Sequence, residues 1–226
     1  MEIGISSDIK IISIKIALLG ESGVGKTSIL QRYCYDKFTI DNEITKIASF
    51  AKSVICSSDK KTEVHLKIWD TAGQETYRSL ASFYCKDADV VFLVYDLTNK
   101  KSFDALSFWL DKVHANSSSE CIIVLLGNKC DCIEKEAVDK KTLDRFTNAN
   151  NLESFIVSAK DNINIKKAFE SIVIKKYPQF ASELGYEIPV TNANKSSLGK
   201  NSVARNKYRG NKLTKANNQE KSKGCC

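Results

Sequence analysis

The chain has 226 residues, of which 42% are hydrophobic and 27% charged, enough apolar material for one sizeable core and one domain, or two at most. Ten glycines and two prolines exclude a collagen-like or low-complexity chain, and no apolar run approaches the ~18 residues that a membrane-crossing helix needs. The net charge of +7 is uneven: residues 1–190 hold 25 basic and 26 acidic side chains, residues 191–226 nine basic and one acidic. A near-neutral domain with a basic tail and no aromatic-basic patch argues against nucleic acid as a partner.

The opening Met1-Glu2-Ile3-Gly4 lacks the features of a secretory leader or a myristoylation site, so the folded part is expected in the cytosol. Eight cysteines without framework spacing read as reduced thiols. Cys130 and Cys132 form a Cys-x-Cys pair, but His65 and His114 are the only histidines, and core or loop thiols are the expectation rather than a zinc site.

Residues 1–10 read as a short extension. The first apolar run, Ile11 to Leu19, has the character of a buried strand. Gly20-Glu21-Ser22-Gly23-Val24-Gly25-Lys26-Thr27 follows directly and matches G-x-x-x-x-G-K-[ST], with Ser28 next to it as a further candidate nucleotide contact. In such a loop the backbone N–H groups converge on phosphate oxygens, the next helix adds its positive end, Lys26 reaches the β- and γ-phosphates, and Thr27 offers its hydroxyl to Mg²⁺.

Phe50 to Cys56 and Val64 to Trp69 are joined by polar residues 57–62, which predicts a hairpin and one antiparallel strand at the sheet edge. Asp70-Thr71-Ala72-Gly73-Gln74 then places a carboxylate to hold the Mg²⁺ shell through water, an N–H at Gly73 to sense a γ-phosphate, and a side chain at Gln74 to orient attacking water. The strand Val90 to Tyr95 precedes a helix with apolar residues at 103, 106, 109, 110 and 113. After the strand Cys121 to Leu126 comes Asn128-Lys129-Cys130-Asp131. Its carboxylate can accept both N1–H and the 2-amino group of guanine, with the Lys129 stem against the ring; adenine would leave Asp131 unpaired. The strand Ser154 to Val157, the segment Ser158-Ala159-Lys160 and a helix with apolar residues at 165, 168, 169, 172 and 173 complete the alternation. It predicts a doubly wound, mostly parallel six-stranded α/β sheet with one antiparallel edge strand and helices on both faces. The domain should span 11–177. Residues 178–226 hold too few apolar side chains to offset ordering and are expected as a flexible tail.

These four segments, in this order, resemble the Ras superfamily of small GTPases over residues 11–177. Within it the chain is similar to the Rab branch, on the phosphate-loop sequence, Trp69-Asp70-Thr71-Ala72-Gly73-Gln74-Glu75-Thr76-Tyr77-Arg78, Phe83-Tyr84, Val94-Tyr95-Asp96-Leu97-Thr98, Lys101-Ser102-Phe103 and the terminal Cys225-Cys226. Arg32-Tyr33-Cys34 and residues 45–50 resemble endosomal members. The resemblance implies a GTP/GDP switch in vesicle traffic with slow intrinsic hydrolysis accelerated by an activating protein. It makes Thr45 a switch threonine on Mg²⁺ and Phe38 the aromatic on guanine. Implied partners are an exchange factor, a GDP-dissociation inhibitor, an escort protein and effectors, the protein itself being a monomer. Cys225 and Cys226 would carry two prenyl groups that, with the basic tail, hold the cytoplasmic face of an intracellular membrane. Thr45-Lys46-Ile47 departs from the usual Thr-Ile-Gly, which leaves a GTP-dependent scaffold with little hydrolysis as an alternative. A Ras-like signalling GTPase is another, opposed by the Cys-Cys ending; a P-loop kinase or ATPase does not require Asn128 to Asp131.

Overall fold

The computed structural model describes residues 9–40, 49–71, 81–135 and 137–185. In chain order they form β1 (Lys10–Leu19), α1 (Lys26–Tyr35), β2 (Ser49–Cys56), β3 (Thr62–Asp70), α2 (Ala81–Cys85), β4 (Val90–Asp96), α3 (Lys100–Asp104), α4 (Leu106–Asn116), β5 (Ile122–Asn128), α5 (Lys140–Asn150), β6 (Glu153–Ile156) and α6 (Ile165–Lys176). The six strands lie in the order β2-β3-β1-β4-β5-β6. All neighbours run parallel except β2 and β3, so the antiparallel strand sits at the edge as the hairpin pattern predicts.

Strand composition explains strand position. Val90–Asp96 is buried at every residue, as a central parallel strand covered on both faces must be. In β2, Ala51 and Ile55 turn toward the core, while Phe50, Lys52, Val54 and Cys56 are exposed, the alternation of a strand covered on one face. Because side chains alternate, the same strands build two cores. On one face Ile14, Ile16, Leu66, Phe92 and Val94 meet α1 and α6 through Ile29 and Phe169. On the other, Ala17, Leu19, Leu93 and Tyr95 meet α3, α4 and α5 through Phe103, Trp109 and Leu143.

Two differences from the sequence pattern have local causes. The single helix expected across residues 103–113 is two, divided at Ala105, with Asn99 capping the first by accepting a hydrogen bond from the Lys101 N–H at 3.1 Å. The helix α5 carries too little apolar sequence to stand out, but Asp139 caps it, accepting from the Thr142 N–H at 2.8 Å. Packing also continues past α6, where a 3₁₀ turn at Pro178–Phe180 buries Phe180 and Ala181. The six described cysteines, Cys34, Cys56, Cys85, Cys121, Cys130 and Cys132, are free thiols. Among the described residues no helix is long and apolar enough to cross a membrane.

Phe169 ties α6 to both α1 and the sheet. Its ring stacks on Tyr33 at 3.8 Å and meets Phe92 edge-on at 4.9 Å, and it is fully buried. Replacing Phe169 by Ala is expected to destabilise the GDP-bound protein by about 3–5 kcal/mol. Urea unfolding measures this, and a loss under about 1 kcal/mol would show that the stack does not hold α6.

Candidate functional site

The site is built where β1, β3, β4 and β5 end, the position at which parallel α/β sheets bind ligands. At the turn out of β1, Gly20 has φ 144°, and a Cβ there would lie 2.1 Å from the Val94 carbonyl oxygen. Gly25 has φ 94° and heads α1; its Cβ would fall 2.3 Å from Asn128 Nδ2. Only glycine permits this bend together with that approach. The bend brings Lys26 back over the loop, where its Nζ donates to the Gly20 and Glu21 carbonyls at 2.8 Å each. The ammonium is buried, and burial pulls its pKa down to about 8, against the raising influence of the Asp70 and Glu21 carboxylates.

The Glu21 side chain points elsewhere. It accepts a hydrogen bond from Trp109 Nε1 at 2.9 Å, fastening the phosphate loop to α4. Glu21 stands within the phosphate-loop sequence, where its carbonyl accepts from Lys26 and its carboxylate from Trp109. Val24 likewise belongs to the core, fully buried, with its carbonyl accepting from Asn128 Nδ2 at 2.9 Å.

Thr27 Oγ1 donates to Asp70 Oδ2 at 2.7 Å, and Ser49 Oγ reaches the same oxygen at 3.4 Å. Asp70 is fully buried. Its other oxygen, Oδ1, has no hydrogen-bond partner among the described residues. Burial raises the carboxyl pKa, with the Thr27 and Ser49 hydrogen bonds and the Lys26 charge opposing. A buried carboxylate with an unsatisfied oxygen beside a hydroxyl and an ammonium fits a hydrated Mg²⁺, which supplies the missing charge and donors. The adjacent Thr71 Oγ1 donates to the Leu18 carbonyl at 2.7 Å, locking the end of β3 against β1.

The base side is as closely tied. Asp131 accepts from Ser158 Oγ at 2.6 Å and from Cys132 Sγ at 3.4 Å, with Lys160 Nζ at 3.9 Å. Burial pushes its pKa up, but the hydrogen bonds from Ser158, its own N–H and Cys132, with the Lys160 charge, outweigh that and lower it. The group therefore stays an ionised acceptor, as recognition of two guanine donors requires. Lys129 adopts φ 70° and pairs with Asp96 at 2.7 Å, which fixes the direction of its stem. Ala159 N–H donates to Asn128 Oδ1 at 3.2 Å.

A cavity of about 410 Å³ runs between these two halves. Ser22, Gly23, Gly25, Lys26, Thr27 and Ser28 line one end; Phe38, Asn128, Lys129, Asp131, Ala159 and Lys160 line the other. That volume and this order of cationic, hydroxylic, aromatic and carboxylate groups suit a guanosine phosphate. Thr45, Gly73, Gln74, Cys225 and Cys226 lie outside the described residues. Arg32 went unnoticed in the sequence as a site residue: its Nε donates to the Ala159 carbonyl at 2.8 Å and its Nη2 to the Lys160 carbonyl at 3.0 Å, holding the base loop from α1. Nothing in a lone arginine on a helix signals this. In the sequence Trp109 shows only as part of the apolar stripe of residues 103–113.

Compared with known proteins, residues 15–177 match the Ras family. The chain is 40% identical over 159 residues to "Ras-related protein Rab-3" of Caenorhabditis elegans, covering 70% of this chain and 72% of that protein. It is 37% identical to "GTP-binding protein ypt3" of Schizosaccharomyces pombe, over 70% and 73% of the two chains. Against "Ras-related protein Rab-3A" of Homo sapiens the identity is 40%, over 70% and 71%.

Two outcomes are expected. Asp131→Asn exchanges an acceptor pair for an amide and should move preference from guanine toward xanthine nucleotides, whose 2-oxo group accepts from the amide; competition binding checks this, and unchanged guanine preference would contradict it. The second concerns Lys26, whose pKa of about 8 leaves it roughly half neutral at pH 8 in the nucleotide-free protein. Phosphate binding raises that pKa, so binding should take up about half a proton at pH 8 and less at pH 7, where Lys26 is already protonated. Calorimetry in buffers of different ionisation enthalpy measures the uptake; none at pH 8 would contradict a desolvated Lys26.

Proposed function

The chain belongs to the Ras family and is a Rab-type small GTPase, binding GTP or GDP with Mg²⁺ and hydrolysing GTP to GDP; from that premise we propose that it acts as a membrane-anchored switch in intracellular vesicle traffic, on endosomal membranes. The observation that carries the nucleotide half is the ionised Asp131 held by Ser158 at one end of a cavity whose other end holds Lys26 and Thr27. The trafficking half rests on the relatives and on the sequence likeness of residues 32–34 and 45–50 to endosomal members.

In this reading the chain's own groups position rather than react. Lys26 lies against the β- and γ-phosphates, and Thr27 and Asp70 hold the metal, which when bound neutralises charge on the transferred phosphoryl group. Thr45 and Gly73 grip the γ-phosphate in the GTP form, and Gln74 aims the attacking water; hydrolysis removes those contacts and the two loops relax. Intrinsic turnover of about 10⁻⁴ to 10⁻³ s⁻¹ in Ras-like proteins makes an activating partner necessary. Exchange factor, GDP-dissociation inhibitor and effectors act on the same cycle. Geranylgeranyl groups on Cys225 and Cys226, with the basic residues 191–226, supply two lipid chains and an electrostatic attraction, a combination sufficient for stable anchoring.

Gln74→Leu is expected to slow single-turnover GTP hydrolysis at least ~10-fold, or ~1.4 kcal/mol in barrier, and an unchanged rate would remove Gln74 from the mechanism. Deleting Cys225 and Cys226 should release the protein from membranes in cell fractionation while GTP binding and hydrolysis persist. Continued sedimentation with membranes after the deletion would place the anchor elsewhere.

A further inference from the structure

Half of the phosphate-loop residues 20–25 are glycines, with φ of 144°, 76° and 94° at Gly20, Gly23 and Gly25. Such a loop gains little order from side chains of its own, and Ser22 and Gly23 at its tip are exposed. Two side chains from outside pin it on either side of that exposed pair. Asn128 Nδ2 donates to the Val24 carbonyl and Trp109 Nε1 to Glu21 Oε1, each at 2.9 Å. Asn128 belongs to the base motif. Trp109 belongs to a helix, and neither the base site nor the core calls for an N–H at its position.

Trp109 is 2% exposed and stands on α4 among Leu106, Leu110 and Val113, all buried in the core on that face. Phe or Leu would also fill an apolar helix stripe; the indole differs in carrying a donor, which needs an acceptor once buried. Here the acceptor is a carboxylate of the phosphate loop, 88 residues away in the chain, and a bond to an ionised acceptor is stronger than a neutral one. The carbonyl of that same glutamate, with the carbonyl of Gly20, accepts from Lys26 Nζ at 2.8 Å. An ammonium has three N–H donors. Two fixed carbonyls therefore leave one donor, and Lys26 lines the cavity. Because carboxylate and carbonyl belong to one residue, holding the first limits how far the second can swing.

We propose that Trp109 is a positioning residue for the phosphate site: by holding the Glu21 carboxylate from α4, it fixes the Glu21 carbonyl that, with that of Gly20, aims the Lys26 ammonium at the β- and γ-phosphates. Trp109 stands outside the cavity lining and acts through Glu21 and Lys26. Its influence falls on the phosphate end, since the base end is held separately by Arg32, Asn128 and Ser158. The inference rests on the reading of Lys26 as the ligand of the β- and γ-phosphates.

The test uses the full chain with Mg²⁺ and two readouts: release of a fluorescent GDP analogue chased with unlabelled GDP, and equilibrium binding of a fluorescent GMP analogue, which lacks the β-phosphate. Glu21→Met keeps the side-chain length and the α4 packing without an acceptor, and should speed release of the GDP analogue at least ~10-fold. Trp109→Phe keeps an aromatic ring without the N–H and should do the same. Both should bind the GMP analogue within ~2-fold of the native chain, because the base end is independent of the tether. Glu21→Gln retains an oxygen acceptor and should restore release to within ~3-fold of the native rate. The double variant Trp109→Phe/Glu21→Met should release within ~2-fold of either single one, since both remove one bond. Effects that multiply in the double variant, equal weakening of GMP and GDP binding, or native release from Glu21→Met overturn the proposal and leave Trp109 a packing residue. Lys26→Met separates this outcome from failure of the reading beneath it. Release at least ~100-fold faster from Lys26→Met, with native release from Glu21→Met, rejects the Trp109 link alone; native release from Lys26→Met rejects the Lys26 reading as well.

Discussion

The side-chain amide of Asn128 joins the parts of this site that the chain brings from distant places. Its Nδ2 donates to the Val24 carbonyl in the phosphate loop, and its Oδ1 accepts from the Ala159 N–H in the base loop. Its own carbonyl accepts from the Leu97 N–H beyond β4. Donor and acceptor on one small planar group satisfy two loops at once, and at 2% exposure water cannot substitute. Any residue with a Cβ at position 25 would collide with this amide. The glycine-rich sequence of the phosphate loop is thus partly a condition for the Asn128 tie, besides a condition for wrapping phosphate.

Around that tie the site holds charge that the described residues do not fully compensate. Lys26 is buried and its pKa is drawn down by desolvation; Asp70 is buried and its pKa is drawn up. The two groups partly oppose each other's shift, yet the Asp70 Oδ1 orphan remains. A polyanion with its divalent cation answers both at once, giving Lys26 an anion and Asp70 a shell of donors. Desolvation that penalises the free protein therefore becomes binding energy for the loaded one. Asp131 behaves differently because Ser158 and Cys132 already hydrogen-bond it, so the base end is preorganised before any ligand arrives.

Much of this was legible in the sequence, for reasons that differ by element. The buried strands declared themselves because a central parallel strand has to be apolar on both faces, as Val90–Asp96 is. The hairpin and its edge position followed from polar residues 57–62 between two alternating runs. The residues gathered on the cavity were legible because phosphate, metal and guanine each demand particular atoms at fixed offsets. Contacts that join distant segments through common residues left no such trace: Arg32 on the Ala159 and Lys160 carbonyls, Trp109 on Glu21, and Lys129 on Asp96. The break at Ala105 and the amphipathic but weakly apolar α5 were also beyond a periodicity argument, since caps rather than hydrophobic spacing define them.

The claim on which the account turns is that Asn128 couples the phosphate loop to the base loop. Hydrogen exchange of the GDP-bound Asn128→Ala protein tests it most directly, read at the amides of residues 22–28 and 158–161. Losing the amide leaves the Val24 carbonyl and the Ala159 N–H without their partner, a penalty of about 1–3 kcal/mol, so both segments should exchange roughly 10-fold faster or more while β4 and α6 keep their protection. Faster exchange in only one of the two loops, or in neither, would contradict the coupling.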